Sequence, residues 1–199
     1  MSEKQLTIRI VTPDSEFVVP YIERELPEAQ LVDSEAMHTV FITQDKSLLQ
    51  QKPEGSTGLF CPSIVGTGMT GLPMTLAKAI ARGRLYHIAG NEARLSTVHA
   101  VDVARAVRAV LGTVGDFTVT DGCDPTVHDL AEALAHRINS RRIYTVKPRW
   151  ARWIMSADLR VLISRDRVEN GQEFAAKFDF RPVSVVEYLK THNYDDESL

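Results

Sequence analysis

Apolar and β-branched residues alternate with polar ones through Leu6-Thr-Ile-Arg-Ile-Val11, the pattern of a buried strand, and Thr12-Pro13-Asp14-Ser15 behind it is a helix start. Glu28-Ala-Gln-Leu-Val-Asp33 and Thr39-Val-Phe-Ile-Thr43 are predicted as the next strands. Asp45 to Thr57 has little hydrophobic periodicity and is expected to be a short helix and a surface loop. Leu59-Phe-Cys-Pro-Ser-Ile-Val65 is predicted as one buried strand, ended by Gly66-Thr-Gly68 and Gly71. A helical period then runs from Leu72 to Arg82 and stops at Gly83, followed by a short strand at Leu85 to Ala89. Ala100 to Leu111 is expected to be a helix with Val101, Ala104, Val107 and Leu111 on one face and Asp102 near its start. Phe117 to Thr120 is a predicted strand, and Thr126 with Asp129 predicts a capped helix over Leu130 to Ile138. The remainder holds a strand at Ile143 to Val146, a helix with Trp150, Trp153 and Ile154, and a last helix around Val183 to Leu189.

Strands alternating with helices make this an α/β chain with a parallel sheet. The stretch from Leu6 to Asp33 opens like a nucleotide-binding β-α-β unit, yet no glycine precedes Gly55. A dinucleotide site uses glycines to let the backbone approach the pyrophosphate at the helix N-terminus. Here Pro13 has no N–H to donate, and Asp14 and Glu16 repel phosphate, so neither NAD nor NADP is expected as a cofactor.

With 199 residues, 44% hydrophobic and 25% charged, the chain is long enough for a proper core. A formal charge of −3 gives no reason to seek nucleic acid or an anionic membrane as partner. No apolar run approaches membrane-spanning length and Met1 to Gln5 is polar, so a cytoplasmic protein is expected, with Cys61 and Cys123 as reduced, mostly buried thiols. The six histidines, His38, His87, His99, His128, His136 and His192, form no metal-ligand spacing, so no metal site is expected. Trp150 and Trp153, interleaved with Arg149 and Arg152, are expected to be core contacts.

Four segments resemble the extended short-chain dehydrogenase/reductase family, the NAD-dependent nucleotide-sugar epimerases and dehydratases. Cys61-Pro-Ser-Ile-Val-Gly-Thr-Gly68 is similar to its Arg-Pro-x-x-Val-Tyr-Gly-Pro-Gly segment, with Cys for Arg, the Tyr missing and Thr for the second Pro. Val98-His-Ala-Val-Asp-Val-Ala104 matches Val-His-Val-x-Asp-Val-Ala. Phe117 to Ala131 resembles the strand, turn and helix that follow, and Phe178-Asp-Phe-Arg-Pro182 resembles Leu-Gly-Phe-x-Pro. The resemblance implies a shortened Rossmann-like sheet with a smaller α+β substrate-type region. The division expected is 1–120, with a substrate-region insert near 72–100, and 121–199.

The family's Tyr-x-x-x-Lys pair, in which Lys lowers the phenol pKa, is missing. Four residues beyond Tyr21, Tyr86, Tyr144, Tyr188 and Tyr194 stand Glu25, Gly90, Pro148, His192 and Ser198. No catalytic residue is therefore assigned. The resemblance implies a substrate pocket where the Cys61–Val65 strand, the Gly66–Gly71 loop and the Arg94–His99 segment meet, with Ser63, Ile64, Gly66, Gly68, Arg94 and His99 as candidate binding residues. The expectation is a degenerate epimerase-like protein without oxidoreductase activity, serving as a binding, regulatory or partner subunit. An NAD(P)-dependent enzyme with an atypical cofactor site is the alternative. An uncovered sheet or helix face invites association as a homodimer or hetero-complex, with Phe17, Val18, Tyr21 and Ile22 as the apolar helix face, unless Asp45 to Thr57 folds over the gap.

Overall fold

The computed structural model describes residues 5–139 and 143–191; His192, Tyr194 and Ser198 lie outside them. β1 (Thr7–Val11) leads through a 3₁₀ turn at Glu16–Val18 into α1 (Val19–Glu25), then β2 (Gln30–Leu31), β3 (His38–Thr43), β4 (Thr57–Phe60) and β5 (Ile64–Val65). There follow α2 (Gly71–Ala81), β6 (Leu85–Ile88), β7 (Val98–His99), α3 (Ala100–Val110) and β8 (Gly115–Thr118). The chain continues with α4 (Val127–Arg137), β9 (Ile143–Val146), α5 (Pro148–Ile154), α6 (Ala157–Ser164), α7 (Gln172–Lys177) and α8 (Val185–Thr191).

A five-stranded, all-parallel sheet in the order β2-β1-β3-β4-β8 forms the N-terminal framework. Side chains on a strand alternate between faces. Ile8, Val40, Ile42, Leu59 and Phe117 accordingly share one face, and they pack with Tyr21 and Ile22 of α1 and Val103, Ala104 and Val107 of α3. Phe174 and Phe180 close this core from far along the chain, edge-on to each other at 5.1 Å between ring centroids. On the opposite face the 3₁₀ turn Lys46–Gln51, begun by the Asp45 carboxylate on the Ser47 N–H, covers β3 and β4, and Leu49 lies over Gly58. The gap left by a short sheet is thus filled from within the chain. Val18, Tyr21 and Ile22 are buried in the core, so the helix face expected to drive association is not available for it.

The Leu59–Val65 run is not one strand. Pro62 has no N–H for a ladder, and the chain breaks at Cys61-Pro62-Ser63, so that β5 leaves the main sheet and pairs with β7. A second core gathers Leu72, Leu76 and Ile80 of α2, Leu130 and Leu134 of α4, and Leu189 of α8, flanked by the parallel pair β6–β9. The box at the start of α4 forms as expected: Thr126 Oγ1 accepts the Asp129 N–H at 3.0 Å, and Asp129 accepts the Thr126 N–H at 3.0 Å. α3 differs from expectation in its buried stripe. Val103, Ala106 and Val110 join Ala104 and Val107 inside, whereas Val101 is exposed, because a helix wedged between a sheet and α1 buries a wider arc than one face. Cys61 is buried as expected, but Cys123 is exposed; both thiols are free.

Candidate functional site

In open parallel sheets ligands bind outside the carboxyl ends of the strands. At that edge here, the Asp14 carboxylate accepts the Gln44 N–H at 2.9 Å and the hydroxyls of Thr43 and Ser15 at 3.0 Å each. Gln44, the residue after β3, ties the edge together: its amide donates to Thr70 Oγ1 at 2.8 Å and to the Asp14 carbonyl at 3.2 Å, and its Oε1 accepts the Ile64 N–H at 3.3 Å. A polar knot of protein groups thus occupies the ends of β1 and β3. Gln44 and Thr70 were not singled out from the sequence, although a polar residue one past the end of a parallel strand is a usable signal.

The candidate residues fall into different roles. Gly66 is required by packing, since a Cβ there would lie 2.8 Å from Ala100 Cβ and 3.0 Å from the Tyr21 hydroxyl. Gly68 has φ +81° and a Cβ would meet Phe17 Cβ at 2.9 Å. Tyr21 Oη accepts the Thr67 N–H at 2.8 Å, so α1 clamps this loop directly. His99 is 2% exposed and caps α3 through Nδ1, which accepts the Val101 N–H at 3.3 Å; its ring packs on Tyr188 at 4.0 Å. Ser63 and Ile64 are buried, and the Ser63 carbonyl accepts the Val98 N–H at 3.1 Å. Arg94 is not brought to them: its N–H donates to Asp166 at 2.8 Å and its carbonyl accepts the Arg167 N–H at 2.7 Å. Asp102, expected as a helix-start residue, is 2% exposed, pairs with Arg105 at 2.5 Å, and accepts the Val183 N–H at 2.9 Å.

Three hollows surround this region. Gly66, Thr67, Met69, His99 and Arg137 line a cavity of about 30 Å³, room for a water or two rather than a sugar. An open groove of about 610 Å³ runs along the first turns of α2, lined by Met69, Thr70, Gly71, Met74, Lys78 and Arg167. A third hollow of about 390 Å³ lies past the end of β8, walled by Thr120, Asp121, Asp124, Glu169, Asn170 and Gln172. Burial pushes the Asp121 carboxyl above the ordinary aspartate value, opposed by the Val185 and Cys123 N–H groups and the Thr97 hydroxyl that it accepts. The two larger hollows have the volume of small-molecule sites; the cavity beside His99 does not.

No protein-family model matches the sequence, nor does any curated protein. Solved structures do match the fold. UDP-N-acetylglucosamine 4-epimerase from Bacillus cereus has a TM-score of 0.62 at 11% identity, covering 93% of this chain and 98% of that one. The chain has the fold of the nucleotide-sugar epimerases and dehydratases. dTDP-glucose 4,6-dehydratase from Bacillus anthracis, in complex with NAD, matches at a TM-score of 0.60 and 9% identity, covering 93% of this chain and 94% of that one. GDP-mannoheptose C4 reductase from Campylobacter jejuni, with NADP bound, matches at 0.61 and 7%, covering 94% and 96%.

These neighbours overturn the expectation of no cofactor, since the dehydratase is in complex with NAD and the reductase has NADP bound. The residues at the β1–α1 turn do not reproduce the glycine cradle on which a pyrophosphate usually rests. Asp14 presents a carboxylate there, already bonded to Ser15, Thr43 and Gln44, and Pro13 offers no N–H. Among the described residues no cluster of three His, Cys, Asp or Glu side chains is placed to hold a metal ion, and no helix is long and apolar enough to cross a membrane.

Proposed function

We propose that this chain is an epimerase- or dehydratase-like protein that binds a nucleotide-sugar-type ligand and acts as a binding, regulatory or partner subunit rather than as an oxidoreductase. The observation that carries the reading is the knot at Asp14 and Gln44, which fills the strand edge where a glycine cradle would hold the pyrophosphate of a dinucleotide in its usual place. The missing Tyr-x-x-x-Lys pair points the same way, because without it no group is assigned to move a hydroxyl proton in step with a hydride.

The ligand is assigned to the groove along α2. Lys78 and Arg167 supply positive charge for phosphate oxygens, and Met69, Met74 and Leu72 supply an apolar wall. Gly66, Gly68, Ser63, Ile64 and His99 shape the loop and the wall behind it, and Arg94 holds the Asp166–Arg167 segment through its backbone. A dinucleotide of the kind its neighbours carry belongs to this reading as a second ligand class, held by groups other than the Thr12–Glu16 turn. The division proposed is 1–120, with an insert near 72–100, and 121–199; most of each hydrophobic cluster follows it, while Phe174 and Phe180 of the second segment pack into the first cluster.

Thermal-shift and calorimetric titrations with UDP-sugars, NAD and NADP test the proposal, since a ligand that prefers the folded state raises its melting temperature. Expected is stabilisation by a nucleotide sugar that Lys78→Ala with Arg167→Ala abolishes, without nicotinamide reduction or sugar epimerisation. Turnover of a nucleotide sugar with NAD or NADP would overturn it.

A further inference from the structure

α5 is inverted relative to an ordinary surface helix. Its small residue faces inward and its large ones outward: Ala151 is 2% exposed, whereas Trp153 is 74%, Trp150 52% and Ile154 46% exposed. At 100° per residue Trp153 sits opposite the buried Ala151–Met155 side, flanked by Trp150 and Ile154 on one hand and Arg149 and Arg152 on the other. The arginines lie over the rings, Arg149 at 5.6 Å from the Trp150 centroid and Arg152 at 5.2 Å from that of Trp153. Val161 of α6 and Tyr144 of β9 are exposed as well.

Charge is segregated to the same part of the chain. Residues 141–165 hold seven basic residues and one acidic, a net +6, so that with −3 overall the rest of the chain carries −9. The overall charge, which gave no reason to look for an anionic partner, describes only the sum.

We propose that the face built by α5 and the neighbouring part of α6 docks on an anionic lipid surface, with Trp150, Trp153 and Ile154 entering the headgroup boundary and Lys147, Arg149 and Arg152 meeting lipid phosphates. Tryptophan at the apex of a helix with cations around it is the composition of an interfacial helix. Such binding needs one apolar anchor and one basic patch, and both are present on a single convex element. The clefts described above contain no residue of α5, whereas protein hot spots pair with pockets and single-stranded nucleic acid follows a groove. Among the described residues no helix crosses a bilayer, so the association is peripheral.

Both tryptophans of the chain are on this helix, so emission excited selectively from tryptophan reports on this face alone. The full chain is titrated with vesicles of phosphatidylcholine alone and of phosphatidylcholine with about a third phosphatidylserine. Expected are a blue shift of emission and co-sedimentation with the anionic vesicles, weakened by salt and small or absent on phosphatidylcholine. Arg149→Gln with Arg152→Gln keeps both rings and is expected to weaken partition roughly thirtyfold, about fivefold per lost cation. The salt series needs no substitution, so the test holds if that variant misfolds. Unchanged emission on the phosphatidylserine vesicles overturns the proposal. An equal shift with poly-L-glutamate or with oligo(dT) also overturns it, marking the face instead as one for an acidic polypeptide or a single strand.

Discussion

His87 and His128 stack face to face, their ring centroids 4.0 Å apart and their planes 30° from parallel. The Glu132 carboxylate stands 3.2 Å from His128 Nε2, one helical turn along α4. Burial, and then the charge of His128, pull the His87 pKa below the ordinary histidine value, with Glu132 opposing. A depressed histidine pKa means that the unfolded chain binds more protons than the folded one as pH falls through the unfolded value near 6.5. Stability is therefore complete above that value and declines below it. Melting temperatures between about pH 7.5 and 5 should fall with acidification, and His87→Gln should flatten the slope; an unaltered slope would show that His87 does not titrate with folding.

Asp102→Ala should cost roughly 2–4 kcal/mol, because it leaves the Val183 N–H without its acceptor and removes the partly buried pair with Arg105. For a chain of this size that is a drop of about 5–15 °C in melting temperature, readable by calorimetry.

Gly66→Ala is expected to destabilise by roughly 1–3 kcal/mol even in the absence of any ligand, since the new methyl meets Ala100 and Tyr21. Thermal unfolding of the apo protein checks this. An unchanged melting temperature would return Gly66 to the list of ligand-contacting positions.

Tyr21→Phe keeps the ring and removes the hydroxyl that accepts the Thr67 N–H. A loss of about 1–3 kcal/mol is expected, with faster amide exchange at Thr67, readable by hydrogen-exchange mass spectrometry.

Thr126→Ala should cost about 1 kcal/mol through the lost cap of α4. The bond from Thr126 to the Asp129 side chain is the main reason that the Asp129 carboxyl lies below its ordinary value of 3.8. A depressed carboxyl stabilises the fold above the unfolded value and ceases to do so as pH falls through the folded one. The difference between variant and parent should therefore shrink in denaturant titrations taken below about pH 3.8.

Elements governed by local chemistry were legible in the sequence. The α2 period, the stop at Gly83 and the Thr126–Asp129 box each need only neighbours along the chain to be read. What escaped depends on contacts made across the fold. Asp14 reads as part of a helix start, yet its partners Thr43 and Gln44 come from the next strand but one. Trp150 and Trp153 read as core by spacing, but Ala151 and Met155 take the inward side of α5. Of the candidate site, the Gly66–Gly68 loop and His99 do meet, while Arg94 is held at Asp166 and Arg167, a pairing with no sequence signal.

The phenylalanines that close the first core bear on how the molecule is made. Ile8, Leu59 and Phe117 are all translated well before Phe174 and Phe180, which complete the same cluster. The strands of the parallel sheet emerge in order together with α1 and α3, which cover much of their apolar face, but the cluster is complete only once the chain past Phe180 has emerged. A nascent chain stalled before α7 would thus leave Phe117 without its ring contacts to Phe174 and Phe178. The contacts that complete the cluster are therefore non-local, spanning the excursion between β4 and β8 and the still longer one to Phe180, the kind of pairing that slows folding.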